Sequence, residues 1–129
     1  MTRSDAVGEH LRTRRFNHTG ESLRHIDQLQ TKYADMSIAV EKSRQLIYAA
    51  GDRGDPDALP FILACKADAA ETAVAVTNEA MTICGGIAYR ENSRVSQMLR
   101  DARAGHVMSP TTDMLKTWTG RALLGLPLL

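Results

Sequence analysis

Cys84-Gly85-Gly86-Ile87-Ala88-Tyr89-Arg90-Glu91-Asn92 is the stretch on which the fold turns. A long apolar helical pattern runs into it and stops at the paired glycine. Two adjacent glycines permit left-handed torsions and a close backbone approach. Downstream, the residues from Glu91 to Arg103 read as a short charged helix, with Val95, Met98 and Leu99 turned inward. Within it, Arg100 and Asp101 are suited to charged hydrogen bonds that tie this helix to a neighbour. Next comes the hydroxyl-rich link Met108-Ser109-Pro110-Thr111-Thr112-Asp113. Proline is favoured at a first helical position and serine just before it. The spacing therefore predicts a last helix from Pro110, capped by Ser109. Met114, Leu115, Trp118 and Ala122 form its stripe, and Gly125 and Pro127 end it.

Upstream of the glycine pair, Ile62, Cys65, Ala69, Ala73, Val76, Ala80 and Ile83 recur at helical spacing from about Asp57 to Cys84. Small residues dominate this stripe, so its neighbours can approach closely. An earlier stripe, Ile26, Leu29, Tyr33, Met36, Val40, Ser43, Ile47 and Ala50, predicts a helix over about 23–50. Its near-heptad spacing suits packing at a shallow crossing angle. Gly51 is a candidate left-handed stop, and Pro56 cannot continue a helix. A first helix over about 4–15 has Ser4 or Asp5 as candidate caps and Val7 and Leu11 as its apolar edge. A polar turn from Asn17 to Ser22 follows. The expected fold class is all-α, an up-and-down four-helix bundle forming one domain over residues 1–129.

Composition narrows the function. The 129 residues carry a net charge of +1, which leaves no nucleic-acid footprint. No apolar run approaches the roughly 20 residues of a membrane span, and residues 1–5 lack a signal-peptide core. A cytoplasmic protein is expected. The two cysteines, Cys65 and Cys84, sit on apolar helical faces and read as buried free thiols. His10, His18, His25 and His106 are scattered without metal-ligand spacing, so no metal site is expected. Arg12, Arg14 and Arg15 complement the dipole at a helix end, or alternatively contact a phosphate.

The run Gly85-Gly86-Ile87-Ala88-Tyr89, then Arg100-Asp101-Ala102, then Thr111 and Arg121, resembles the C-terminal domain of acyl-CoA dehydrogenases. The likeness extends upstream through Tyr33-Ala34-Asp35-Met36, Arg44 and Lys66, and covers about Ala6 to Leu126. In that family a carboxylate takes the α-proton of an acyl thioester while a flavin accepts hydride from the β-carbon. The resemblance implies FAD as cofactor, with Arg15, Thr82, Gly85, Gly86, Thr111 and Asp113 as cofactor-binding candidates. It places the glycine pair beneath the adenine end of a partner subunit's flavin. Met108, Ser109 and Arg121 are the substrate-binding candidates, for an acyl-CoA or acyl-carrier-protein thioester.

The family's commonest catalytic acid aligns with Ser109, which cannot serve as a carboxylate base; Asp113, four residues on, is the nearest acid. No catalytic residue is assigned. The family's N-terminal helical and central β-domains have no counterpart here, so the isolated chain is expected to be inactive. Its expected partners are further copies of itself, a separate chain carrying those domains, or both. Two readings stand. One is the C-terminal bundle of a flavin-dependent acyl-thioester dehydrogenase, as split subunit or fragment. The other is a non-catalytic interaction module, favoured by Ser109-Pro110 and by Thr82, where the family carries a glutamine-type residue.

Overall fold

A computed structural model describes residues 6–54 and 58–129. Among these residues five α-helices follow one another: α1 (Ala6–Thr13), α2 (Asp27–Gly51), α3 (Ala58–Cys84), α4 (Arg94–Val107) and α5 (Thr112–Leu123). Among the described residues there is no strand, only an isolated bridge between Arg15 and Ser22. The molecule is the all-α bundle that the two apolar stripes predict.

Helix α3 is the spine, and α1, α2, α4 and α5 all pack on it. Lys32 pairs with Glu79, and the Cys65 thiol reaches the Leu46 carbonyl at 3.5 Å. These contacts fix α2 and α3 as antiparallel. Lys116 pairs with Glu71, and Leu123 shares a cavity wall with Ala64. So α5 also runs against α3, and α4 and α5 cover successive lengths of it. Val7, Leu11, Ala80, Ile83, Cys84 and Ala88 form the buried core at the C-terminal end of α3, with Leu29, Tyr33, Met36 and Val95 against it.

Several boundaries differ from the sequence reading, each for a local reason. The predicted start of α2 at Leu23 is a separate 3-10 turn, Leu23–His25, and Ile26 is extended before α2 begins. Ser22 holds that turn off. Its buried hydroxyl donates to the Leu11 and Arg12 carbonyls at 2.7 and 3.1 Å, closing the end of α1. Gly51 stays helical and ends α2 without a left-handed torsion. Helix α4 begins at Arg94, not Glu91, because Ser93 caps it: its Oγ accepts from Ser96 N–H at 3.0 Å and donates to the Ala88 carbonyl at 2.6 Å. Arg100 does not bridge to another helix. It donates to Ser96 Oγ at 2.9 Å and to the Glu91 carbonyl at 3.5 Å, both local.

The last helix departs most. It starts at Thr112, and Thr111 is its cap, accepting from Met114 N–H at 3.4 Å. The Ser109–Pro110 peptide is cis; Pro110 lies outside the helix and Ser109 is exposed. At its far end Gly125 takes φ +69°, with Leu126 N–H on the Arg121 carbonyl at 2.8 Å and Gly125 N–H on the Ala122 carbonyl at 3.1 Å. That is a Schellman stop, and glycine fits its left-handed position without a Cβ penalty. Ser4, Asp5 and Pro56 lie outside the described residues.

Candidate functional site

The glycine pair terminates α3. Gly85 has φ +64°, and Gly85–Ile87 form a 3-10 turn in which the Ala88 N–H reaches the Gly85 carbonyl at 2.9 Å. Both glycines are exposed, and a Cβ added at either would meet nothing within 4 Å. The turn is thus an open backbone edge. Tyr89 stands beside it at 80% exposure, and Ile87 is exposed too. Thr82 lies one turn back on the outer face, its hydroxyl donating to the Asn78 carbonyl at 3.1 Å. Arg15 follows α1, which packs on this same end of α3. Its guanidinium donates to the Gly20 carbonyl at 2.8 Å and holds the polar turn closed.

The α4–α5 link forms a second cluster. Met108 caps α4 and is 66% exposed. Ser109 is exposed, Thr111 caps α5, and Asp113 is exposed in the first turn. Thr112 anchors the link. It is 2% exposed, its hydroxyl donates to the His106 carbonyl at 3.3 Å, and it lies 3.2 Å from His106 Nδ1. The sequence reading passed over Thr112; three hydroxyl residues within four positions hid which one is buried.

These clusters do not merge within one chain. The 14 residues of α4 separate them by about 21 Å at 1.5 Å per residue. Arg121 is further off: it is at the opposite end of α5 from Ser109, and its Nε donates to the Pro127 carbonyl. Met108 and Ser109 are therefore together, while Arg121 is held by the tail. Arg15, Thr82, Gly85 and Gly86 share one end, while Thr111 and Asp113 are elsewhere. A flavin dinucleotide does not find an enclosed pocket among these residues on one chain; each cluster is an open edge. Among the described residues no three His, Cys, Asp or Glu side chains gather closely enough to hold a metal.

Two cavities among the described residues lie away from both clusters. The larger, about 560 Å³, lies between α2 and α4 over α3. The smaller, about 350 Å³, lies between α3 and α5 and is lined by Asp68, Glu71 and Lys116. Asp68 Oδ2 is buried without a hydrogen-bond partner. Burial raises the Cys65 thiol above its ordinary value, and nearby Asp68 adds to the shift. Burial alone raises Cys84. Both thiols are free and buried, as their positions on apolar helical faces predict.

An α3 spine ending in an exposed glycine pair, followed by a short helix and a hydroxyl-rich link, defines a known class of helical domain. Residues 5–124 match the acyl-CoA dehydrogenase C-terminal domain, and the chain belongs to that family. It is 36% identical over 108 residues to cyclohex-1-ene-1-carbonyl-CoA dehydrogenase of Geobacter metallireducens, across 81% of this chain and 28% of that protein. It is 34% identical over 107 residues to 3-sulfinopropanoyl-CoA desulfinase of Paraburkholderia xenovorans, across 82% of this chain and 28% of that protein. The solved butyryl-CoA dehydrogenase of Megasphaera elsdenii superposes with a TM-score of 0.83 at 30% identity, over 92% of this chain and 31% of that one. The chain thus spans 28% of the length of these curated relatives.

Proposed function

We propose that this chain is the C-terminal bundle of a flavin-dependent acyl-thioester dehydrogenase, one domain that works with further domains or chains. In this reading Gly85, Gly86, Thr82 and Arg15 form one edge of an FAD site, and Thr111 and Asp113 another. Met108 and Ser109 face the acyl thioester, and Arg121 is its most distant contact. The observation that carries the reading is the match of residues 5–124 to the acyl-CoA dehydrogenase C-terminal domain, and the exposed glycine edge beside Tyr89 fits it. Such an edge lets a ligand lie against backbone. Two relatives whose names describe different reactions both name a CoA thioester. That supports the substrate class more firmly than the reaction. Two buried free thiols fit a reducing, cytoplasmic compartment.

A specific observation favours the second reading, a non-catalytic interaction module. Ser109 stands where the family's usual acid falls, and Asp113, the acid nearest to it, is exposed on the first turn of α5. The test is co-purification with a chain that supplies the remaining domains, followed by an absorption scan for bound flavin. Flavin retained by the complex, and lost with Gly86→Leu, supports the first reading. A stable complex without flavin leaves the interaction module.

A further inference from the structure

The smaller cavity, about 350 Å³, opens where α3 and α5 pack through small residues. Ala64 and Ala67 line it from α3, and Gly120 lines it from α5. The remaining lining residues follow at helical spacing, Asp68 and Glu71 on α3 and Lys116, Thr119 and Leu123 on α5. Each wall is therefore one helical face. The gap exists because side chains are missing there. A Cβ added at Gly120 would meet nothing within 4 Å. Packing does not require this glycine, and a glycine inside a helix weakens it. The space exceeds one water several times over, since a water takes about 30 Å³ of the liquid. It has room for one small organic group.

The lining asks for a cation. Two carboxylates and one ammonium leave it a surplus negative charge. Lys116 is taken by Glu71. Asp68 Oδ2 is buried, with no hydrogen-bond partner among the described residues. A buried carboxylate oxygen is normally paired, and leaving it alone is costly. On the other wall Thr119 gives its proton to the Leu115 carbonyl at 2.8 Å, so its oxygen is left to accept. Acceptors thus stand on both walls, with hydrocarbon from Ala64, Ala67 and Leu123 between them. A bare metal ion has too few ligands, because no three acidic, His or Cys side chains gather among the described residues. An ammonium is compact and strongly hydrated. A guanidinium is planar, presents five donors, and gives up water more readily.

We propose that the cavity between α3 and α5 binds a guanidinium group carried on a short apolar stem. Asp68 is its counter-ion and Thr119 a second acceptor. The stem lies against Ala64, Ala67 and Leu123, over the space that Gly120 leaves open. This site is separate from the glycine edge and from the α4–α5 link.

The test titrates the full chain and follows the fluorescence of its single tryptophan, Trp118 on α5. The ligands are butylguanidinium, its uncharged analogue butylurea, and butylammonium. Butylguanidinium is expected to bind saturably, about tenfold or more tighter than either of the others. Asp68→Asn keeps the shape and should erase that preference. Gly120→Leu should fill the space and abolish binding. Circular dichroism checks that each variant is folded. In the wild type, hydrogen exchange over 64–71 and 116–123 should slow with butylguanidinium, a readout that needs no variant. Absence of saturable binding overturns the proposal. Equal binding of the three compounds does so too, as does a preference that survives Asp68→Asn. The group can arrive free or as an arginine side chain of another polypeptide, and a capped Leu-Arg-Leu peptide separates these. Tighter binding than butylguanidinium assigns the site to a partner's arginine, and weaker binding assigns it to a free alkylguanidine. None of these readouts involves flavin or thioester, so a failure here is separate from a failure of the dehydrogenase reading.

Discussion

At the scale of the residue, the α4–α5 link reverses the sequence expectation. Ser109 looked like the cap because it precedes a proline, yet Thr111 accepts the helix N–H. The choice among Ser109, Thr111 and Thr112 is made by tertiary packing: Thr112 is drawn inside against His106, and the residue before it becomes the cap. A linear pattern does not contain that information. Thr111→Ala is expected to cost about 1 kcal/mol in denaturant unfolding, the typical value of a lost cap. Ser109→Ala, at an exposed position outside the helix, is expected to stay within about 0.5 kcal/mol. A larger loss at Ser109 than at Thr111 would refute the assignment. His10 gives a second residue-scale expectation. Burial lowers its pKa below 6.5, with the nearby Arg14 charge acting in the same direction. The folded state thus disfavours the imidazolium. Stability from this group is present above pH 6.5 and is lost as pH falls through the folded value. Melting temperature should drop between pH 7.5 and 5.5, and His10→Gln should flatten that slope.

At the scale of the element, the stripes were legible and the stops only partly so. Cys84 and Leu123 end α3 and α5 where Gly85 and Gly125 supply left-handed torsions, as the glycines announced. Gly51 shows the limit, since a glycine permits a left-handed stop without requiring one. The same distinction separates the paired glycines. Gly85→Ala places a Cβ at φ +64° and is expected to cost about 1–2 kcal/mol. Gly86 has no such torsion and open space around it, so Gly86→Ala should be neutral or stabilising by up to about 1 kcal/mol through the unfolded chain. Urea unfolding of the two variants measures the difference. Equal losses would mean that the helix stop does not rest on Gly85. The contact that joins α4 to α5 is equally specific. Thr112→Val keeps the volume but removes a buried hydroxyl from His106, and about 1–2 kcal/mol is expected to be lost.

At the scale of the whole molecule, the family and helix order could be read from the chain, but the two ends of each stripe could not be told apart. Ile83, Ala80 and Cys65 are buried, whereas Ile62 on the same stripe is exposed, as is Ile47 on α2. Periodicity marks which face wants cover and is silent on what supplies it. The candidate site is split as well: on this chain its two clusters lie about 21 Å apart, at opposite ends of α4. The last expectation concerns an uncovered face at the end of α5. Leu123 and Leu124 are 76% and 77% exposed at the end of α5, and Leu126 and Leu129 stand out beside them. The Schellman stop and the Arg121–Pro127 hydrogen bond fix this tail against α5, so the leucines form a set surface away from the cavity between α2 and α4. Exposed contiguous apolar surface of this kind marks an interface. Light scattering is expected to show self-association of the chain at tens of micromolar. Leu123→Glu with Leu124→Glu should return it to monomer without changing helix content, since neither side chain is part of the core. An equally associated double variant would move the interface elsewhere, and a wild-type chain that stays monomeric at high concentration would remove the leucine face from the assembly altogether.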